Sequence, residues 1–118
     1  MTAKDDARPQ QIDPSAIARL NDRFRTTGVE GMLVATAGVI QLAQGALTAI
    51  VAEVRAFDAF TSDNDPYGEH DFGALAWRGT KLFWKIDCYD RNMRGASPDA
   101  ADPSVTLRVL TVMLASEY

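Results

Sequence analysis

Ile17, Leu20 and Phe24 fall three and four residues apart, the spacing that gathers side chains on one stripe of a helix. Asp13-Pro14-Ser15 ahead of them supplies a start, with Asp13 as N-cap and Pro14 at the first helical position, where its missing N–H costs nothing. Gly28 supplies the stop, so the pattern predicts a helix over residues 14–27. Met32 to Thr36 is short, apolar and partly β-branched, with Gly38 following, and predicts a buried strand. Between Ala43 and Phe60, Leu47, Ile50, Val51, Val54 and Phe57 recur at helical spacing and predict a second helix ending at Thr61-Ser62. Phe72 to Trp77 and Leu82 to Tyr89 flank Arg78-Gly79-Thr80, which predicts a hairpin. In its second strand Leu82, Trp84, Ile86 and Cys88 share the core face, and Phe83, Lys85, Asp87 and Tyr89 share the other. Past a loop from Arg91 to Ala101, Asp102-Pro103-Ser104 repeats the helix-start chemistry. Val105, Val109, Leu110, Met113 and Leu114 then predict a third helix running to the end.

The resulting order is α-β-α-β-β-α. It predicts an α+β fold in which three helices cover a small, mostly antiparallel three-stranded sheet. Residues 1–12 are polar and without period and read as a flexible lead-in, leaving residues 13–118 as one domain. At 118 residues, 47% hydrophobic and 24% charged, the chain has enough apolar content for a core without disulfide or metal. The longest apolar stretch is interrupted by Gln41, Gln44, Glu53 and Arg55, which excludes a membrane span. The polar N-terminus has no secretory character, and Cys88 is the single cysteine, so the expected location is cytoplasmic.

The net charge of −4 is unevenly placed: residues 58–118 hold ten acids against six bases, whereas the first 57 residues balance. Asp58, Asp63, Asp65, Glu69 and Asp71 occupy one short loop with no Lys or Arg, and the only histidine, His70, lies among them. An excess of this sign repels nucleic acid and attracts cations, so direct nucleic-acid binding is disfavoured and a partner with a basic surface is expected. Arg19, Arg23 and Arg25 form a small basic patch that reads as a solvated helix face. Aligned from Asp63 the loop fails as a calcium site, because Tyr67 and Ala74 stand at the fifth and twelfth positions. Asp65, Glu69 and His70 could form a looser cation site or an acid–base centre, although Asp, Asn, Pro and Gly in such a loop are also ordinary turn formers. No nucleophile partner, zinc spacing or phosphate-cradling glycine loop accompanies them, so neither cofactor nor catalytic residue is assigned. Cys88 reads as a buried, inert thiol. Tyr67, Phe72, Trp77, Phe83, Trp84 and Tyr89 are too many aromatics for one core face, so some are expected at a surface. Aromatics rimmed by carboxylates have the composition of a protein-binding patch. The expected partner-binding residues are Asp58, Asp63, Asp65, Tyr67, Glu69, His70, Asp71, Asp87, Tyr89 and Asp90.

The strings FDAFTSDNDPYGEHDFGAL, LFWKIDCYD and ADPSVTLRVLTVMLASEY, with a weaker echo from Ala18 to Phe24, carry a resemblance over residues 16–118. In them the chain resembles a family of short bacterial proteins called domain of unknown function 3768. Members of that family tend to have an aromatic residue where Cys88 stands, which weakens a thiol mechanism further. The resemblance brings no catalytic residues with it. It implies a setting, accessory genes near plasmid and phage regions. The expectation is a small non-enzymatic interaction protein, an inhibitor of the anti-CRISPR kind, docking on a basic groove of a nucleic-acid-handling host complex. The alternatives are a small metal-dependent or hydrolytic enzyme using Asp65, Glu69 and His70, and a homodimeric structural domain.

Overall fold

Helix α1 (Pro14–Thr27) begins and ends where local chemistry directs. The Asp13 carboxylate accepts the Ser15 amide at 2.9 Å, and Gly28, at φ 74, closes the helix by donating its N–H to the Phe24 carbonyl. The computed structural model describes residues 13–118, so the expected lead-in over residues 1–12 lies outside the described residues. After α1 come β1 (Gly31–Ala35), α2 (Ala37–Ala43), α3 (Leu47–Ala56), β2 (Phe72–Trp77), β3 (Thr80–Tyr89) and β4 (Leu107–Leu114). Single 3₁₀ turns occupy Pro103–Val105 and Ala115–Glu117. The fold is α+β, with three helices over a four-stranded mixed sheet of order β1-β4-β3-β2. β4 runs parallel to β1 and antiparallel to β3, which pairs antiparallel with β2.

The expected third helix is a strand. Asp102-Pro103-Ser104 does start a helical turn, Asp102 accepting the Ser104 amide at 2.9 Å, but the turn lasts only to Val105. From Leu107 the chain enters the middle of the sheet, with Val109 and Met113 buried on one face and Leu110 and Val112 on the other. A central strand covered on both faces is apolar at nearly every position, and such a run satisfies helical spacing as readily as alternation. The β-branched Val109, Thr111 and Val112 favour the strand, and pairing with both β1 and β3 settles it. The sheet therefore gains a fourth strand and the order becomes α-β-α-α-β-β-β.

Two further expectations change. The helix expected between Ala43 and Phe60 is the shorter α3, and α2, capped by Thr36, is a helix the sequence pattern did not predict, separated from α3 by the left-handed Gln44 and Gly45. α3 stops at Ala56, and Phe57 continues in extended backbone. The strand expected to be buried, β1, is an edge strand whose Met32, Leu33 and Val34 are exposed. Among the described residues no single helix is long and apolar enough to cross a membrane.

The core lies between the helices and one sheet face. Phe24 of α1, Val39 and Ala43 of α2, and Ile50 and Val54 of α3 meet Leu82, Trp84, Ile86, Leu110 and Val112. The even-numbered residues of β3 point inward and Lys85 and Asp87 outward, as alternation predicts. Gly73 of β2 sits opposite Trp84, and a Cβ there would come within 2.4 Å of the indole Nε1. Because that indole is rigid and fully buried, Gly73→Ala should destabilise the fold by about 1–3 kcal/mol in urea titration, as overpacking does. Gly95, with open space around it, is the matched control and should tolerate alanine.

The other sheet face carries no helix among the described residues. Phe72, Phe83 and Tyr118 form an aromatic triad on it, with ring centroids 5.0 to 5.5 Å apart, Tyr118 folding back from the last turn. Glu117 fixes that turn, its Oε1 accepting from the Leu114 amide and the Thr36 hydroxyl, each at 2.7 Å.

Candidate functional site

The acidic loop, residues 57–71, is clamped to the core at both ends. Phe57 and Phe60 pack against Trp84 in T-shaped geometry, at centroid distances of 5.4 and 6.1 Å. Thr61 and Asn64 then close a turn on each other: the Thr61 amide donates to Asn64 Oδ1 and the Asn64 amide to Thr61 Oγ1. The Asn64 side-chain amide donates to the Ala59 carbonyl. Gly68 and His70 both adopt left-handed backbone, at φ 68 and 55, which folds the chain back so that the His70 amide donates to the buried Asp65 carboxylate. The His70 ring stacks on Phe60, with centroids 3.9 Å apart and planes parallel within 1°.

Three residues of α1 hold this loop from behind. Asp22 lies 2.9 Å from His70 Nδ1, while Asp65 lies 3.6 Å from Nε2, so the imidazole sits between two carboxylates. Arg25, 4% exposed, pairs with Asp22 at 2.9 Å, donates to the Phe57 carbonyl and lies over the rings of Phe60 and Trp84. Asn21, 1% exposed, donates to the Glu69 carbonyl at 2.9 Å and accepts from Arg108 Nε at 2.7 Å. The reading of Arg19, Arg23 and Arg25 as a solvated face thus holds for the first two and fails for Arg25, which is core. The signal was present: Asn21 and Arg25 follow Ile17 at intervals of four and so fall on its buried stripe.

In front of the loop, where it meets the open sheet face, an acidic and aromatic cleft of about 290 Å³ opens. Asp71 and Asp87 contribute carboxylates to it, Asp65 lines it with its own carboxylate turned to His70, and Tyr67 and Tyr118, 79% and 75% exposed, stand at it with Phe72. Lys85 lies in the cleft and pairs with Asp87 at 2.9 Å, which holds its ammonium pKa above the ordinary lysine value. Burial, reinforced by Asp65 and Asp87, raises the Asp71 carboxyl above the usual aspartate value despite the opposing pull of its own backbone N–H and His70. Burial raises Glu69 as well, with Asp71 and Asp65 adding to it. Both acids therefore carry their charge in surroundings that resist it, the condition under which an incoming cation is most strongly attracted.

Of the ten residues singled out in the sequence, Asp65, Tyr67, Asp71 and Asp87 line this cleft. Glu69 and His70 lie in the loop behind it, their backbone and ring tied to α1. Tyr89 ends β3 opposite Leu107, and Asp90 starts the following turn, accepting the amides of Asn92 and Arg94. Asp58 and Asp63 are exposed but outside the cleft lining. Phe72, Lys85 and Tyr118 belong to the cleft and were not singled out; Tyr118 reaches it only because β4 returns the C-terminus beside β3. Asp65, Glu69 and His70 do not converge as ligands: among the described residues no three His, Cys, Asp or Glu side chains are placed to hold a metal ion. Burial pushes the Cys88 thiol above its ordinary pKa despite Arg108 nearby, the opposite of nucleophile activation.

No curated protein and no solved structure matches the chain. A family model described as "Protein of unknown function (DUF3768)" does match, over residues 35–117, from the last residue of β1 through the loop, the hairpin and β4. That span includes every cleft residue except Tyr118 and leaves out α1. The chain belongs to the DUF3768 family.

Proposed function

We propose that this protein is a non-enzymatic binding module that takes a lysine or arginine side chain of a partner protein into the cleft between Tyr67, Asp71, Asp87 and Tyr118. The observation that carries this reading is Asp71, half-buried beside two other carboxylates and flanked by exposed aromatic rings. Carboxylates and aromatic faces together suit an ammonium or guanidinium, through charge-assisted hydrogen bonds and cation–π contact. Lys85 already places one ammonium on Asp87 from inside the fold, an example of the pairing proposed for the partner's side chain. In the setting that the family resemblance implies, the partner is a nucleic-acid-handling complex in the cytoplasm. Its basic groove is then blocked by carboxylates standing where phosphates would lie. A net charge of −4 concentrated after residue 57 supports a local patch of this kind rather than mimicry along a whole duplex.

The test is a titration with a short arginine- and lysine-containing peptide, for wild type, Asp71→Asn and Asp87→Asn, at low and high salt. Each substitution should weaken the peptide about tenfold at low salt, the worth of one charge-assisted hydrogen bond, and the difference should shrink as salt rises. Equal affinity of Asp71→Asn and wild type at low salt would sink the reading. Stability should move the other way. Because the folded state raises the Asp71 pKa, folding is favoured while the group is protonated, and that advantage is lost as pH climbs from the usual aspartate value through the raised one. At neutral pH Asp71→Asn should therefore melt at or above the wild-type temperature, and the difference should disappear in acid.

The homodimer reading rests on a different observation. Among the described residues β1 offers an unpaired edge with exposed Met32, Leu33 and Val34 and no charge within the strand, the kind of edge that pairs with another strand. Sedimentation of the same samples separates the two, since a peptide-binding monomer supports the cleft and a dimer without peptide affinity supports the edge.

A further inference from the structure

Arg108 is the one buried cation in this fold whose charge no side chain answers among the described residues. It is 5% exposed, yet among the described residues it has no Asp or Glu within ion-pair distance; its partners there are the neutral Asn21 Oδ1, at 2.7 Å from Nε, and the Ala100 carbonyl, at 2.6 Å from Nη2. A guanidinium carries five N–H donors, and these two bonds leave the others over. Burying a charge without an opposite charge is costly unless a ligand or solvent supplies it. Beside Arg108 lies a cavity of about 50 Å³ between the second half of α1, the turn that follows it and the loop before β4. Arg23 and Arg91 also line it, with Thr106 and, among the described residues, a single acid, Glu30. Arg91 is fixed there by donating from Nη2 to the Pro103 carbonyl at 2.7 Å.

We propose that this cavity is an anion site for a dianionic phosphate group, free or terminal on a small metabolite. Charge selects the dianion: three guanidiniums against the Glu30 carboxylate leave two positive charges, which a phosphate monoester neutralises and a carboxylate or phosphodiester does not. Size selects the group rather than a whole nucleotide, because the cavity exceeds one water's share of roughly 30 Å³ and falls far short of the roughly 300 Å³ at which drug-sized pockets begin. Guanidinium supplies the planar pairs of donors that phosphate oxygens accept. The site is separate from the acidic cleft, and the two are joined through Asn21, which accepts from Arg108 on one side and donates to the Glu69 carbonyl on the other.

The experiment is calorimetric titration of the full chain with inorganic phosphate at constant ionic strength, with acetate and dimethyl phosphate as competing chemistries. Phosphate should bind saturably with one equivalent, and acetate and dimethyl phosphate about tenfold or more weakly, since each offers a single charge. Arg91→Met should weaken phosphate about tenfold or more while leaving the melting temperature of the free protein unchanged, because Arg91 is exposed and bonds only one loop carbonyl among the described residues. Glu30→Gln, which removes the opposing charge, should tighten it. Arg108 itself is unsuitable as the probe, since its loss would strand Asn21. Absence of saturable phosphate binding by about 10 mM, equal affinity of Arg91→Met and wild type, or acetate binding as tightly as phosphate each overturns the proposal. An unchanged affinity in Glu30→Gln removes the charge balance on which the preference for a dianion stands, and overturns it too.

Discussion

Trp84→Ala should cost about 3–5 kcal/mol of folding free energy, the range for truncating a large aromatic in a packed core. Trp84 has no solvent exposure, and it is the surface on which several elements meet. Phe57 and Phe60 pack against it in T-shaped geometry, Arg25 lies 5.1 Å from its ring, and Gly73 of the neighbouring strand lacks a side chain where the indole lies. Alanine would leave a cavity that rigid strand pairing on both sides of β3 cannot collapse. The loss should reach the acidic loop, since Phe60 both contacts Trp84 and stacks on His70. Urea titration measures the stability, and amide exchange over residues 57–71 reads the loop, which should open at lower free energy than in wild type. A loss under about 1 kcal/mol would mean that the indole is not the core of this fold.

Asn21→Leu should destabilise the protein by about 2–4 kcal/mol, although the side chain becomes more apolar at a buried position. Asn21 satisfies two groups at once, the Arg108 N–H and the Glu69 carbonyl, and leucine answers neither. Each orphaned group then carries its own desolvation penalty, and that of the Arg108 donor is the larger because it belongs to a cation. The second effect is local. With the Glu69 carbonyl released, the turn holding His70 and Asp71 loses its tie to α1, so peptide affinity at the cleft should fall along with stability. A neutral or stabilising outcome would show that water replaces the amide and that the bridge between helix and loop is not structural.

Much of the local structure was legible before any tertiary contact. Asp13, Pro14 and Gly28 each act within one turn of their own position, so the bounds of α1 follow from capping chemistry alone. The β2–β3 hairpin is equally local: Arg78 and Gly79 take left-handed backbone between two β-rich runs, and strict alternation then sends Leu82, Trp84 and Ile86 inward. The acidic loop also stood out, because five carboxylates and the only histidine without an intervening base form a compositional feature. Which of those carboxylates face solvent was not legible. Asp65 looked equivalent to Asp63, yet it is buried against the His70 amide while Asp63 is exposed, a distinction made by two left-handed residues downstream.

What the sequence determined by itself is therefore the set of elements whose signals lie within one turn or one strand: α1, the hairpin and its core-facing parity, the acidic loop and the excess of negative charge after residue 57. Tertiary structure decided the rest, and for one reason. Residues 107–114 are apolar enough to satisfy either period, and only the presence of β1 and β3 on both sides, with backbone partners for each edge, makes the strand the lower-energy choice. That choice seats β4 in the middle of the sheet, brings Tyr118 back to Phe72 at the cleft, and carries Arg108 beneath α1 to meet Asn21. Contacts across 87 residues of chain have no local signature, so neither the cleft's far wall nor the buried arginine could be read until the strands were paired.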